Sequence, residues 1–137
     1  MNVISIGSIG TNLFVGPDLF LTTDEGVSWT PAGDGFVGGQ VYDFAVFGAN
    51  VFVGSDAGVY SSTDTGKNWK WLGLNHQSLS LIVIGTNLFV GSADSGVFLS
   101  KDSGLTWSVV SNGLHKIYCS SLRAIRLCTK RLVRLRL

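Results

Sequence analysis

At 137 residues, with 45% apolar and 14% charged side chains, 18 glycines and two prolines, the chain has the composition of one small, folded, β-rich domain and not of a disordered segment. Its formal charge of +1 hides a division: residues 1–114 hold all nine acids and three lysines, a net of −6, whereas residues 115–137 hold seven basic residues and no acid, a net of +7. No apolar run approaches the roughly 18 residues that span a bilayer. MNVISIGSIG lacks the basic leader and unbroken apolar stretch of a targeting signal. Both cysteines, Cys119 and Cys128, stand in the basic tail, which excludes a disulfide scaffold or a thiolate metal site from residues 1–114.

Along the chain one unit recurs three times. GTNLFVG at 10–16 returns as GANVFVG at 48–54 and GTNLFVG at 85–91, and each copy is followed by a short alternating run, DLFLTTD, GVYSSTD or GVFLSKD. Each run leads into a turn and a tryptophan, Trp29, Trp69 or Trp107, spaced 40 and 38 residues apart. The short β-branched and aromatic runs, punctuated by glycine and without helical periodicity before residue 115, predict a strand ending near Gly10, Gly48 or Gly85. A second strand such as 50–53, a third such as 59–61 and a fourth opening at the tryptophan complete the unit. Four short antiparallel strands per roughly 40 residues is the size of a β-propeller blade. The expected architecture is all-β: a partial propeller with blades at 1–38, 39–75 and 76–114, followed by an atypical basic tail at 115–137.

The third and fourth strands of each unit are joined by Ser/Thr-x-Asp-x-Gly-x-x-Trp: Thr22, Asp24, Gly26 and Trp29; Ser62, Asp64, Gly66 and Trp69; Ser100, Asp102, Gly104 and Trp107. An aspartate there can fold back on the N–H groups of its own turn, and the hydroxyl two places earlier can add a bond to it. The glycine supplies a positive φ. The tryptophan buries its ring against the sheet while its indole N–H seeks an acceptor. These residues read as a clasp that holds the fold.

This pattern resembles the Asp box, or bacterial neuraminidase repeat, of sialidases, the sortilin ectodomain, xyloglucan-degrading glycoside hydrolases and photosystem II assembly factors. The resemblance covers residues 1 to about 114. It implies a β-propeller in which Asp24, Asp64 and Asp102, with their glycine and tryptophan partners, are structural and lie away from the ligand face.

Function then rests on the other loops. Sialidases grip a carboxylate with three arginines, a bidentate task for which lysine is a poor substitute. Residues 1–114 contain no arginine, so these blades cannot carry such a site. A glycosidase needs two carboxylates outside the turns; the candidates are Asp18, Asp34, Asp43, Asp56 and Asp94. Asp18, Asp56 and Asp94 recur at 38-residue intervals, which favours a turn role. Asp43 lies on an expected inner strand and either faces a central channel or is a solvated strand residue. Phe36, Tyr42 and Trp71 are candidates for a stacking platform at the propeller mouth, with one of the Trp69 and Trp71 rings expected to face out of the sheet. His76 and His115 read as solvated loop residues outside any metal or triad spacing. No cofactor or metal is expected, and there is no phosphate-binding loop, dinucleotide fingerprint or nucleophile elbow.

The tail HKIYCSSLRAIRLCTKRLVRLRL allows two readings. It is a basic amphipathic segment suited to anionic surfaces, or it is the start of a fourth blade read out of frame. Shifted by one nucleotide, codons for Cys119 to Arg126 permit Val-x-x-Phe-Ala-Leu-Phe-Gly, close to VYDFAVFG at 41–48 and in register with it relative to the preceding tryptophan. The out-of-frame reading is preferred. The expectation is therefore a non-catalytic binding or interaction scaffold, a fragment of a larger extracellular or periplasmic protein, with a protein or glycan ligand and no nucleic-acid partner. Self-association to complete a ring is an expected consequence of three blades. The alternative is a fragment of a carbohydrate-active enzyme.

Overall fold

The computed structural model describes residues 2–114. His115, both cysteines and both readings of the tail lie outside the described residues. The described residues form twelve strands in three four-stranded antiparallel sheets, each in simple meander order. The first blade holds β1 (Ser5–Ile9), β2 (Asn12–Gly16), β3 (Phe20–Thr22) and β4 (Thr30–Pro31). The second holds β5 (Val41–Phe47), β6 (Asn50–Ser55), β7 (Gly58–Ser62) and β8 (Lys70–Trp71). The third holds β9 (Ser78–Ile84), β10 (Asn87–Ser92), β11 (Val97–Ser100) and β12 (Ser108–Val109). The fourth strand of each blade opens one residue after its tryptophan, not at it, because the tryptophan still belongs to the turn. Among the described residues no helix is long and apolar enough to cross a membrane.

The first hairpin of each blade turns on a glycine, Gly10, Gly48 or Gly85, with φ near +60°. Glycine at the first central position of a two-residue turn lets the hairpin follow the natural twist of its strands. Register then follows from residue identity. Ser5, Asp43 and Ser80 each pair with a glycine of the second strand, Gly16, Gly54 and Gly91. Those glycines leave room for what approaches them: a Cβ on Gly16 or Gly91 would lie 2.3 or 2.4 Å from the hydroxyl of Ser5 or Ser80.

The core sits between blades. One cluster gathers Phe14, Leu19 and Ala32 of the first blade with Val41, Phe44, Val51, Tyr60 and Trp69 of the second. The other gathers Phe52 and Val59 of the second with Leu81, Leu88, Val90 and Phe98 of the third. Period-two alternation makes this possible, because one face of each sheet meets the preceding blade and the other face meets the following one. Phe14 illustrates the packing, lying 6.0 Å from the ring of Phe44 and edge-on to Trp69 at 6.1 Å.

Candidate binding face

Strand alternation separates two ends of the molecule. The first and third hairpins of each blade, including the Asp-Gly-Trp turns, lie at one end. The second hairpins and the connections between blades lie at the other.

At the first end the three turns are nearly identical. The buried hydroxyl of Thr22, Ser62 or Ser100 is the hub: it donates to the aspartate Oδ1 at 2.7–2.8 Å and accepts the N–H of Gly26, Gly66 or Gly104 at 2.7–2.9 Å. The aspartate also accepts two bonds from the residue before the tryptophan. The main-chain N–H of Ser28, Asn68 or Thr106 reaches Oδ1 at 2.9 Å, and its side chain reaches Oδ2. Those donors, led by the side chains of Ser28, Asn68 and Thr106, hold Asp24, Asp64 and Asp102 at a pKa of about 2. Ser28, Asn68 and Thr106 escaped the sequence reading, although a polar side chain precedes every tryptophan of the repeat. The left-handed conformation spans two residues, not one: Glu25, Thr65 and Ser103 precede the glycines with φ near +60°.

The tryptophans do not simply cover their own sheets. Trp69 donates its indole N–H to the carbonyl of Ala32 at 2.6 Å, and Trp107 donates to Leu72 at 3.1 Å, each acceptor lying in the preceding blade. A Cβ on Gly66 would lie 2.3 Å from the ring of Phe14, and one on Gly104 would lie 2.4 Å from Leu72. The turns of the second and third blades are therefore also joints between blades. Trp29, whose blade has none before it among the described residues, is 41% exposed.

At the opposite end the candidate ligand-face residues separate into distinct roles. Phe36, from the connection between β4 and β5, packs edge-on against Tyr60 at 4.8 Å. Trp71, at the end of β8, is half-exposed and ties its indole N–H to the Ala57 carbonyl at 3.0 Å. Tyr42 donates its hydroxyl to Asp56 at 2.8 Å and accepts from the Gln77 amide at 3.0 Å. Asp43 is half-buried and braces the junction of blades two and three. Its Oδ1 accepts the N–H of Phe44 at 2.9 Å, and its Oδ2 accepts the N–H of Leu81, in the next blade's inner strand, at 2.7 Å. Ser5 braces the first junction from the same register position, donating to the Val41 carbonyl at 3.0 Å.

Asp56 departs from a simple turn role for the same reason. It accepts the N–H of Gln40 at 2.9 Å, the Tyr42 hydroxyl and the Gln77 amide at 2.9 Å, so it links the loops of two blades. These donors, the Gln40 N–H foremost, lower its pKa, and donating to this carboxylate raises that of Tyr42. His76 is not a freely solvated loop residue. Its ring stacks on Phe98 at 4.9 Å, and its Nδ1 lies 3.3 Å from Asp94 Oδ1 and 3.2 Å from Ser95 Oγ. Ser95 donates to Asp94 and, with His76, lowers the pKa of that carboxylate. Serine and aspartate share one ring nitrogen here, whereas a relay needs them on opposite nitrogens. Asp18 and Asp34 are exposed on their loops. Among the described residues no group of three His, Cys, Asp or Glu side chains is placed to hold a metal ion.

No protein-family model and no curated protein matches the chain. Solved structures do. An ancestral GH74 enzyme aligns with a TM-score of 0.67 at 18% identity, over 77% of this chain and 18% of that one. YCF48 from Cyanidioschyzon merolae aligns at 0.59 and 17%, over 77% and 36%. YCF48 bound to D1 peptide aligns at 0.59 and 20%, over 78% and 39%. The chain thus spans less than two fifths of each of these proteins. Likeness at such identity carries the fold alone, and together with the three meander sheets it makes the described residues a run of three β-propeller blades.

Proposed function

We propose that the chain is a non-catalytic propeller module, part of a larger protein, that binds an extended protein segment at the end of blades two and three where Tyr42, Gln77, His76 and Trp71 lie. The observation that carries this reading is the state of the carboxylates there. Asp43, Asp56 and Asp94 already accept main-chain or side-chain hydrogen bonds, which suits them to hold loops in place and not to exchange protons with a substrate. The half-exposed rings of Trp71 and Tyr42 remain as the recognition chemistry, and aromatic side chains are enriched at protein-binding surfaces. YCF48 bound to D1 peptide, a neighbour in fold, supports a peptide as the class of ligand.

A second reading, a fragment of a glycoside hydrolase, is favoured by the half-exposed Trp71 and by the GH74 neighbour. Both are tested by screening the protein against immobilised decapeptides and, in parallel, against xyloglucan. The binding module retains peptides through Tyr42 and Trp71, so Tyr42→Phe and Trp71→Ala lose them, and xyloglucan stays intact. Release of new reducing ends from xyloglucan, abolished by Asp56→Asn, would replace this reading with the enzymatic one.

A further inference from the structure

The connections that enter the inner strands of blades two and three align without a gap, Gly38, Gly39 and Gln40 against Asn75, His76 and Gln77, since Val41 and Ser78 pair with the corresponding serines Ser55 and Ser92. Each connection bonds to the second hairpin of its own blade, through the carbonyl of Gln40 or Gln77, and each hairpin carries an aspartate, Asp56 or Asp94. In blade three the connection brings a basic side chain to that aspartate: His76 Nδ1 lies 3.3 Å from Asp94 Oδ1. In blade two the same position is Gly39, and a Cβ there would lie 2.8 Å from Asp56 Oδ2. Glycine thus lets the carboxylate rest against the connection and take the Gln40 N–H, but it brings no cation.

Asp56 is therefore an anion among neutral donors. Its Oδ1 accepts the Tyr42 hydroxyl at 2.8 Å and the Gln77 amide at 2.9 Å, and its Oδ2 accepts the Gln40 N–H at 2.9 Å. An ionised carboxylate accepts in about four directions, so Oδ2 keeps capacity for one more donor. Tyr42 has spent its one hydroxyl hydrogen on Asp56, and Gln77 turns its NH2 group into the cluster, so its carbonyl oxygen is left to accept. No lysine among the described residues forms an ion pair with Asp56: Lys67 and Lys101 lie in the turns at the opposite end, and Lys70 lies on β8. Asp56 and Gln40 are exposed. The group sits on the middle blade, which packs against a blade on either side, so its exposure does not arise from the ends of the run.

We infer that Asp56, with Tyr42 and Gln77 around it, anchors a cationic side chain, an arginine or a lysine, of the segment bound at this end of the module; the inference rests on the reading of that end as a peptide-binding face. The ammonium or guanidinium takes the role that His76 fills beside Asp94 in the next blade, donating to the open side of Oδ2. Such a charge-assisted bond is stronger than the neutral ones already made to this carboxylate. Solvent around an exposed pair limits its worth, so the gain lies in selecting the ligand more than in total affinity. A neutral residue at that place leaves Oδ2 without its further donor, and an acidic one sets like charges together. The net charge of −6 over residues 1–114 steers the same class of ligand toward the blades.

Decapeptides of mixed neutral sequence, each made in four versions with arginine, lysine, citrulline or glutamate at one central position, test this by fluorescence anisotropy against the full chain. The arginine and lysine versions bind about fivefold more tightly than the citrulline version, the upper end of what an exposed ion pair adds, and the glutamate version binds least. The preference narrows in 0.5 M salt. Asp56→Asn abolishes it, as does Gln77→Lys, which places a cation of the protein's own beside the carboxylate, and unchanged circular dichroism establishes that both variants remain folded. Asp18→Asn removes the same charge from an exposed loop of the first blade and leaves the preference as it was. Equal binding of the four versions, or equal loss of preference in Asp18→Asn and Asp56→Asn, overturns the inference while leaving the module a peptide binder. Absence of binding by every version overturns that reading as well.

Discussion

Trp29 and Trp69 occupy the same position in the same repeat, yet one is 41% exposed and the other 6%. Their turns bond alike, hydroxyl to aspartate and aspartate to the residue before the ring. What differs is the neighbour. Trp69 meets Phe14 and the Ala32 carbonyl of a preceding blade, whereas the corresponding space before Trp29 holds no described residue. The turn closes its own hairpin without help, but the tryptophan becomes a core residue only when another blade is beside it.

Breaking the buried member of the pair gives the largest effect. Trp69→Ala removes a ring packed between blades together with its hydrogen bond, and thermal or urea unfolding should show a loss of about 3–5 kcal/mol. Trp29→Ala, measured at concentrations that keep the chain monomeric, should stay within about 0.5 kcal/mol of the native chain. Equal losses at the two sites would mean that the tryptophan acts within its own blade.

The turn glycines sharpen the same contrast at lower cost. Gly66→Ala drives a Cβ to 2.3 Å from the Phe14 ring, at a φ of +87°, and overpacking of this kind costs about 1–3 kcal/mol beyond the backbone strain. Gly26 has a similar φ of +86°, but the nearest atom to its Cβ is Trp29 at 3.7 Å. Gly26→Ala should therefore cost only the strain, about 1 kcal/mol. Denaturant midpoints of the two variants measure the difference directly.

Asp43→Ala leaves the Leu81 N–H without its acceptor at the junction of blades two and three, a loss of about 1–3 kcal/mol. Hydrogen exchange should then accelerate at Leu81 before it does along β6, and uniform acceleration would mean that the bond does not brace the junction.

Acid gives the smallest and most evenly distributed effect. Asp24, Asp64 and Asp102 have folded pKa values depressed from 3.8 to about 2. The stabilisation from each is complete above pH 4 and is lost as pH falls from there through 2. Because Asp24 is exposed and Asp64 and Asp102 are partly so, the contribution is modest, and 0.5 M salt should leave most of it intact, since its source is local hydrogen bonding and not long-range charge. Asp64→Asn should flatten one third of that dependence in an acid titration followed by circular dichroism.

The repeat made much of the fold legible. GTNLFVG-type segments, alternating runs and the Ser/Thr-Asp-Gly-Trp turns located three blades of four strands, because strand alternation and turn chemistry act over a few residues. The same locality explains why Thr22, Ser62 and Ser100 could be assigned to their turns from spacing. Asp43 and Asp56 were not legible in this way. Nothing within their own segments distinguishes a solvated carboxylate from one that braces Leu81 or collects Gln40, Tyr42 and Gln77, since the donors lie up to 38 residues away. His76 was obscured likewise, since it lies in the loop before β9 and its stacking partner Phe98 belongs to β11.

By itself, then, the amino-acid order determined the all-β class, the number of strands per repeat and the chemistry of each closing turn, all of them consequences of contacts between near neighbours in sequence. Only the tertiary structure decided which carbonyl each indole meets, which carboxylates bind blades together and which copies of a repeated apolar residue stay uncovered. Those outcomes depend on what lies across a junction, and three similar blades in a row give the same residue a different neighbour at each end of the run.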